Sequence, residues 1–112
     1  MRSNPWLKKL YRQYNRKYFG NKLPLDIFVV FGNARTWRSA RISKNSAAVT
    51  FIKGGKPLGI VIRYYKHKGR PYIKCDLLHE MIHVAHPRAS HGPIFKQEVR
   101  RLAALGALDK LL

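Results

Sequence analysis

Apolar residues in the first twenty positions recur at helical spacing: Trp6, Leu7, Leu10, Tyr11, Tyr14, Tyr18 and Phe19 share one face, and Lys8, Lys9, Arg12, Arg16 and Lys17 occupy the rest. Ser3 or Asn4 supplies a cap, Pro5 suits the first turn, and Gly20-Asn21 supplies the stop. The run Asp26-Ile27-Phe28-Val29-Val30-Phe31 is β-branched and aromatic, and apolar on both parities. It predicts a short strand covered on both faces and ended by Gly32-Asn33.

Residues 34 to 46, with Arg35, Trp37, Arg38, Arg41 and Lys44, fit a short edge strand or a basic loop. Trp37 could there stack on a base or plug the edge of the core. Ala47 to Ile52 and Leu58 to Tyr65 predict an antiparallel hairpin turned by Lys53-Gly54-Gly55-Lys56-Pro57. The basic stretch Lys66-His67-Lys68-Gly69-Arg70 leads into Pro71, which opens a helix from about Tyr72 to His86 that stops at Pro87. A last helix starts near Pro93 and continues toward Leu112, with Phe95, Val99, Leu102 and Gly106 on one face. The pattern is α+β: an N-terminal helix, a small, mostly antiparallel sheet of three or four strands, and two further helices. Residues 1–112 are read as a single domain, without repeat or linker.

The penultimate helix carries His79-Glu80-Met81-Ile82-His83. At about 100° per residue, His79 and His83 stand one turn apart on the same side and can grip one metal ion, with Glu80 beside them. Leu77, Leu78, Met81, Ile82 and Ala85 cluster within roughly 140° of arc, and the two histidines and Glu80 lie outside it, facing a cleft. One zinc ion on two imidazoles still needs a third protein ligand and keeps a position for water, whose proton an adjacent carboxylate can take. That is zincin-like peptidase chemistry, although a pair of histidines on a helix surface needs no metal.

Four residues compete for the third position. His86 has the right angle but lies about 10 Å along the axis from His79, too far for one straight helix to share an ion. It would cap the helix or touch substrate. Cys75 sits one turn before His79 but borders the apolar face, and Glu98 could reach the site or pair with a base. His91 is the best of them, because the Pro87-to-Ser90 turn can fold the chain back and Gly92-Pro93 lets it pass close. A metzincin spacing would put the third histidine at Ala89, which excludes that family.

Charge adds a partner. Residues 1–70 hold 17 basic and 1 acidic side chains, residues 71–112 hold 6 and 4, and the net charge is +18. A field of that size attracts polyanions and releases their counterions, which points to nucleic acid, with Lys8, Lys9, Arg12, Arg35, Arg38, Arg41, Lys66, Lys68 and Arg70 as candidate contacts. Cys75 is the only cysteine, which excludes an internal disulfide and fits a reducing compartment. No apolar run reaches the roughly 20 residues of a membrane span, and the amino terminus lacks the apolar segment of a secretory signal. An intracellular, DNA-associated monomer without membrane contact is expected.

The set His79-Glu80-Met81-Ile82-His83 with His91-Gly92-Pro93 and Phe95-Lys96, together with Tyr14-Asn15, Tyr18-Phe19 and Lys22-Leu23-Pro24, resembles the SprT-like zinc metalloprotease domain. That family includes proteases that remove proteins crosslinked to DNA. The resemblance implies one zinc ion on His79, His83 and His91, Glu80 as general base or acid, a small sheet packed on helices, and peptidase activity stimulated by DNA. No zinc-binding module of the kind that follows the domain in eukaryotic relatives is expected, so DNA contact would fall to the basic core itself. Tyr64, Tyr65 or an arginine are candidates to steady the oxyanion. Two other readings compete: a non-catalytic nucleic-acid-binding module with a structural zinc, and a metal-dependent hydrolase of nucleic acid.

Overall fold

The computed structural model describes residues 2–33, 35, 37, 42, 46–65 and 68–108. Helix α1 spans Pro5–Tyr18, and the Asn4 side chain caps it by accepting from the backbone N–H groups of Trp6 and Leu7. Its exit runs through Gly20 and Asn21, both at φ 59°. Two polar groups on its buried side then hold the chain that follows. Buried Asn15 donates to the Leu23 carbonyl and accepts from the Leu23 N–H, each at 3.0 Å, and the Tyr11 hydroxyl donates to the Pro24 carbonyl at 2.6 Å.

Among the described residues three strands follow: β1 (Phe28–Gly32), β2 (Ala48–Lys53) and β3 (Lys56–Arg63). The sheet order is β1-β3-β2, with β2 antiparallel to β3 and β1 parallel to it, so the small sheet is mixed. Gly54 and Gly55, at φ 59° and 78°, make the hairpin turn where the sequence places it. Val29, Ile60 and Ile62 face the helices and join their core; Phe31 and Ala48 pack against its edge. On the opposite face the Phe28 ring lies directly over Gly59, where an added Cβ would stand 2.3 Å from it. Trp37 closes the same face beside Gly32 and is only 2% exposed, which assigns it to the core rather than to a base.

Helix α2 (Arg70–Ala85) has Pro71 in its first turn and buries Ile73, Leu77, Leu78, Met81, Ile82 and Val84 against the sheet and α1. Helix α3 (Pro93–Ala104) contributes Phe95 and Leu102 to the core. It ends earlier than the apolar pattern suggests. Gly106 at φ 77° turns the chain, and the Ala107 N–H closes the helix end on the Leu102 carbonyl. Among the described residues no helix is long and apolar enough to cross a membrane.

Candidate metal centre

His79 and His83 project from the side of α2 away from its buried stripe, as their one-turn spacing requires. After the helix cap at His86 a short turn, closed by the Ala89 N–H on the His86 carbonyl, reverses the chain and returns His91 to the same spot. Nε2 of His91 lies 3.2 Å from Nε2 of His79 and 3.1 Å from Nε2 of His83. The ring of Phe95, one turn into α3, contacts all three imidazoles at centroid distances of 4.7, 5.2 and 4.8 Å. It is the apolar backing on which the cluster rests.

These contacts suit a cation. An imidazole nitrogen has a single in-plane position for a proton or a lone pair, so Nε2 of His91 cannot satisfy both neighbours by hydrogen bonding. Three lone pairs converging on one ion remove the conflict, and two nitrogens on a tetrahedral zinc stand about 3.3 Å apart by the usual bond lengths, close to what is seen. Burial, followed by the charges of His79 and His91, pushes His83 down to about 4; burial, then His91, lowers His79, with Asp76 opposing. Both rings are therefore neutral near pH 7 and ready to ligate. The His79 side chain is still 43% exposed, so the cluster opens to solvent.

Glu80 differs from its neighbours in being buried, at 5% exposure. Its Oε1 accepts a 2.8 Å hydrogen bond from the Thr50 hydroxyl of β2, and its Oε2 lies 3.8 Å from Nε2 of His79. Burial pushes the carboxyl up to about 7, the Thr50 hydrogen bond opposes the rise, and Asp76 adds to it. A cleft of about 430 Å³ opens in front of these groups, lined on one side by Asp76, His79, Glu80, His83 and His91 and on the other by residues 46–50 and Ile52.

The other contenders for the third ligand go elsewhere. His86 pairs with Glu98, Nε2 to Oε1 at 2.9 Å, and Arg101 holds the second Glu98 oxygen at 2.6 Å. Glu98 is thus occupied by bases, and His86 caps the helix. Cys75 is exposed and does not line the cleft. Nor do Tyr64 and Tyr65 line it.

Two of the basic residues read as nucleic-acid contacts are corrected. Lys8 is buried, its Nζ donating to the carbonyls of Leu25 and Ile27, because the turn after α1 folds over it. Lys68 is enclosed by Asp76 at 2.5 Å and by the Arg63 carbonyl at 2.8 Å. Both amines satisfy groups of the fold and present no charge outward. Lys9, Arg12, Arg35 and Arg70 are exposed, whereas Arg38, Arg41 and Lys66 lie outside the described residues. Thr50 and the backing role of Phe95 were not anticipated. The available sign was a polar residue on the inward parity of β2, with Ala48 as its neighbour.

Among family models, the SprT-like family matches residues 7–109. No curated protein and no solved structure matches the chain. The matched segment contains the three converging histidines, Glu80, Thr50 and Phe95, and covers nearly the whole sequence; the chain belongs to the SprT-like family.

Proposed function

We propose that the protein is a zinc-dependent endopeptidase that cuts proteins bound to DNA. The observation that carries this reading is the convergence of three Nε2 atoms at an open cleft, with a buried carboxylate beside them. Three protein ligands and solvent access are the arrangement of a catalytic site; a structural zinc is normally closed by four. Zinc in that position supplies a Lewis acid for the scissile carbonyl and for the attacking water.

The chain's own groups do the remaining work. His79, His83 and His91 hold geometry, and Phe95 keeps their rings in register. Thr50 occupies Oε1 of Glu80 and leaves Oε2 to accept the proton of the attacking water and to return it to the leaving amine. Among the described residues strand β2 is an edge of the sheet, and it lines the cleft, so an extended substrate can add to it through backbone hydrogen bonds. The other edge is partly occupied, since Asn4 and Ser3 bond to Val29 of β1. Backbone recognition beside the small side chains of Ala47 and Ala48 demands little of the substrate sequence.

The DNA part of the reading is supported by charge. No acidic residue occurs before Asp26, and Lys9, Arg12, Arg16 and Lys17 are all exposed on α1. Holding the enzyme and its substrate on one polymer raises their mutual concentration and replaces sequence preference as the source of selectivity.

The test is cleavage of a DNA-binding bait by the zinc-loaded protein, with and without DNA, beside Glu80→Gln. Cleavage by the wild type that needs DNA, and its loss in a variant that still binds zinc, is expected. If both proteins are inert and both bind DNA and zinc, the chain is instead a nucleic-acid-binding module with a structural metal.

A further inference from the structure

Helix α3 carries two pairs of residues one turn apart on the side that meets the histidines. Phe95 and Val99 form the first and Lys96 and Arg100 the second, and with His79 and His91 they line a hollow of about 450 Å³. His79 and His91 also line the cleft in front of Glu80, so the two spaces adjoin at these rings. Their charges are opposite. The cleft carries Asp76 and Glu80, the hollow Lys96 and Arg100.

The described fold leaves both cations unclaimed. Lys96 and Arg100 are exposed, and among the described residues neither is in an ion pair: Asp76 is held by Lys68, and Glu98, on α3 itself, by His86 and Arg101. Phe95 beside them is buried and Val99 partly buried, which gives the hollow an apolar floor under a cationic rim. Such a space suits a group with a short hydrocarbon stem and a carboxylate at its end.

An extended peptide advances about 3.3 Å per residue. A substrate lying along β2 with its scissile carbonyl at the three Nε2 atoms therefore has its next residues beside His79 and His91, at the mouth of the hollow. We propose that Lys96, Arg100, Phe95 and Val99 form a specificity subsite that takes an acidic side chain of the substrate next to the scissile bond. This rests on the peptidase reading above and deepens it by naming the residue class at the cut. It agrees with loose recognition along β2, because DNA selects the protein and the hollow selects where within it the chain is cut. Acidic segments of a DNA-bound protein are repelled by the phosphates, so the cut falls on chain that the DNA leaves uncovered.

The test uses the zinc-loaded protein, DNA, and a DNA-binding bait with an internal unstructured segment that presents a single Glu, Gln or Lys in a background of Ala, Gly and Ser. Cut positions and relative rates are read by mass spectrometry. The wild type is expected to cut at one fixed spacing from the Glu, roughly fivefold faster than with Gln in its place, as exposed ion pairs supply, and more slowly still with Lys. Lys96→Glu with Arg100→Glu should invert that order, and Lys96→Gln with Arg100→Gln should bring the three rates together. Each readout is a ratio within one protein, so a variant that holds zinc less well still reports it; should the reversal variant fail to fold, the glutamine pair carries the test. Equal cutting of the three baits by the wild type, or a reversal variant that still favours Glu, overturns the subsite and leaves the peptidase standing. A variant that loses DNA affinity and keeps the wild-type order of rates assigns Lys96 and Arg100 to the nucleic acid instead. No cutting of any bait by the wild type overturns both readings.

Discussion

The Thr50 hydroxyl donates a 2.8 Å hydrogen bond to Oε1 of Glu80, joining the edge strand of the sheet to the carboxylate of the metal helix. The bond lowers the pKa of a carboxyl that burial raises, so it keeps Glu80 ionised to lower pH than burial alone would allow. Thr50→Val removes the donor at nearly constant volume. Peptidase activity is expected to fall roughly tenfold, as for the loss of one oriented group in acid–base catalysis, and the acidic limb of the pH–rate profile to move to higher pH. Thr50→Ser should restore both; a profile unchanged in Thr50→Val would show that the bond does not set the charge of Glu80.

His91 makes the third contact of the cluster from outside the helix. His91→Ala should lower zinc affinity by more than the about 10–100-fold typical of groups one layer further out. Cys75→Ser and Glu98→Gln should leave zinc stoichiometry unchanged, since neither residue touches the cluster. Metal content by mass spectrometry under native conditions decides between them.

Phe95 is buried and touches all three imidazoles. Phe95→Ala opens a cavity and is expected to cost about 3–5 kcal/mol in denaturant unfolding of the apoprotein. Phe95→Leu should recover much of that stability yet still bind zinc more weakly than wild type, because the planar support of the rings is gone. Equal zinc affinity in Phe95→Leu and wild type would reduce Phe95 to a core residue.

Lys8 and Lys9 are adjacent in sequence, yet the first is buried and the second exposed. Lys8→Met leaves the carbonyls of Leu25 and Ile27 without their donor, and should destabilise the fold by about 1–3 kcal/mol with little change in DNA affinity. Lys9→Gln with Arg12→Gln should do the reverse, weakening DNA binding and flattening its salt dependence while leaving the melting temperature near that of wild type. Salt titrations beside thermal melts distinguish the two.

Burial alone would raise the Glu98 carboxyl, but hydrogen bonds from His86 and Arg101, with the charge of both, hold it below its ordinary value of 4.5. A depressed folded-state value means stability that is fully present above the unfolded value and is lost as pH falls through the folded one. Glu98→Gln should therefore lower stability at neutral pH by on the order of 1 kcal/mol and make the acid decline shallower. Parallel acid unfolding curves for the two proteins would refute the assignment.

What the sequence determined by itself is the part set by short-range periodicity. A turn of helix puts His79 over His83 whatever surrounds it, Asn4-Pro5 and Pro71 start helices, and Gly54-Gly55 turns a hairpin, because each effect is complete within a few residues. The His91 return was legible too, since a turn and a glycine leave the chain few other routes. Tertiary structure decided everything that depends on a distant neighbour. The pairing of β1 parallel to β3 brings together strands more than twenty residues apart, and no local pattern encodes it. The donor to Glu80 comes from Thr50, thirty residues earlier, and the burial that raises its pKa is a property of the whole packed sheet. Lys8 and Lys68 look like surface charges in any window of sequence. Only the folded chain shows that a carbonyl pair and a carboxylate have claimed them, because a buried amine must find partners wherever the backbone happens to pass.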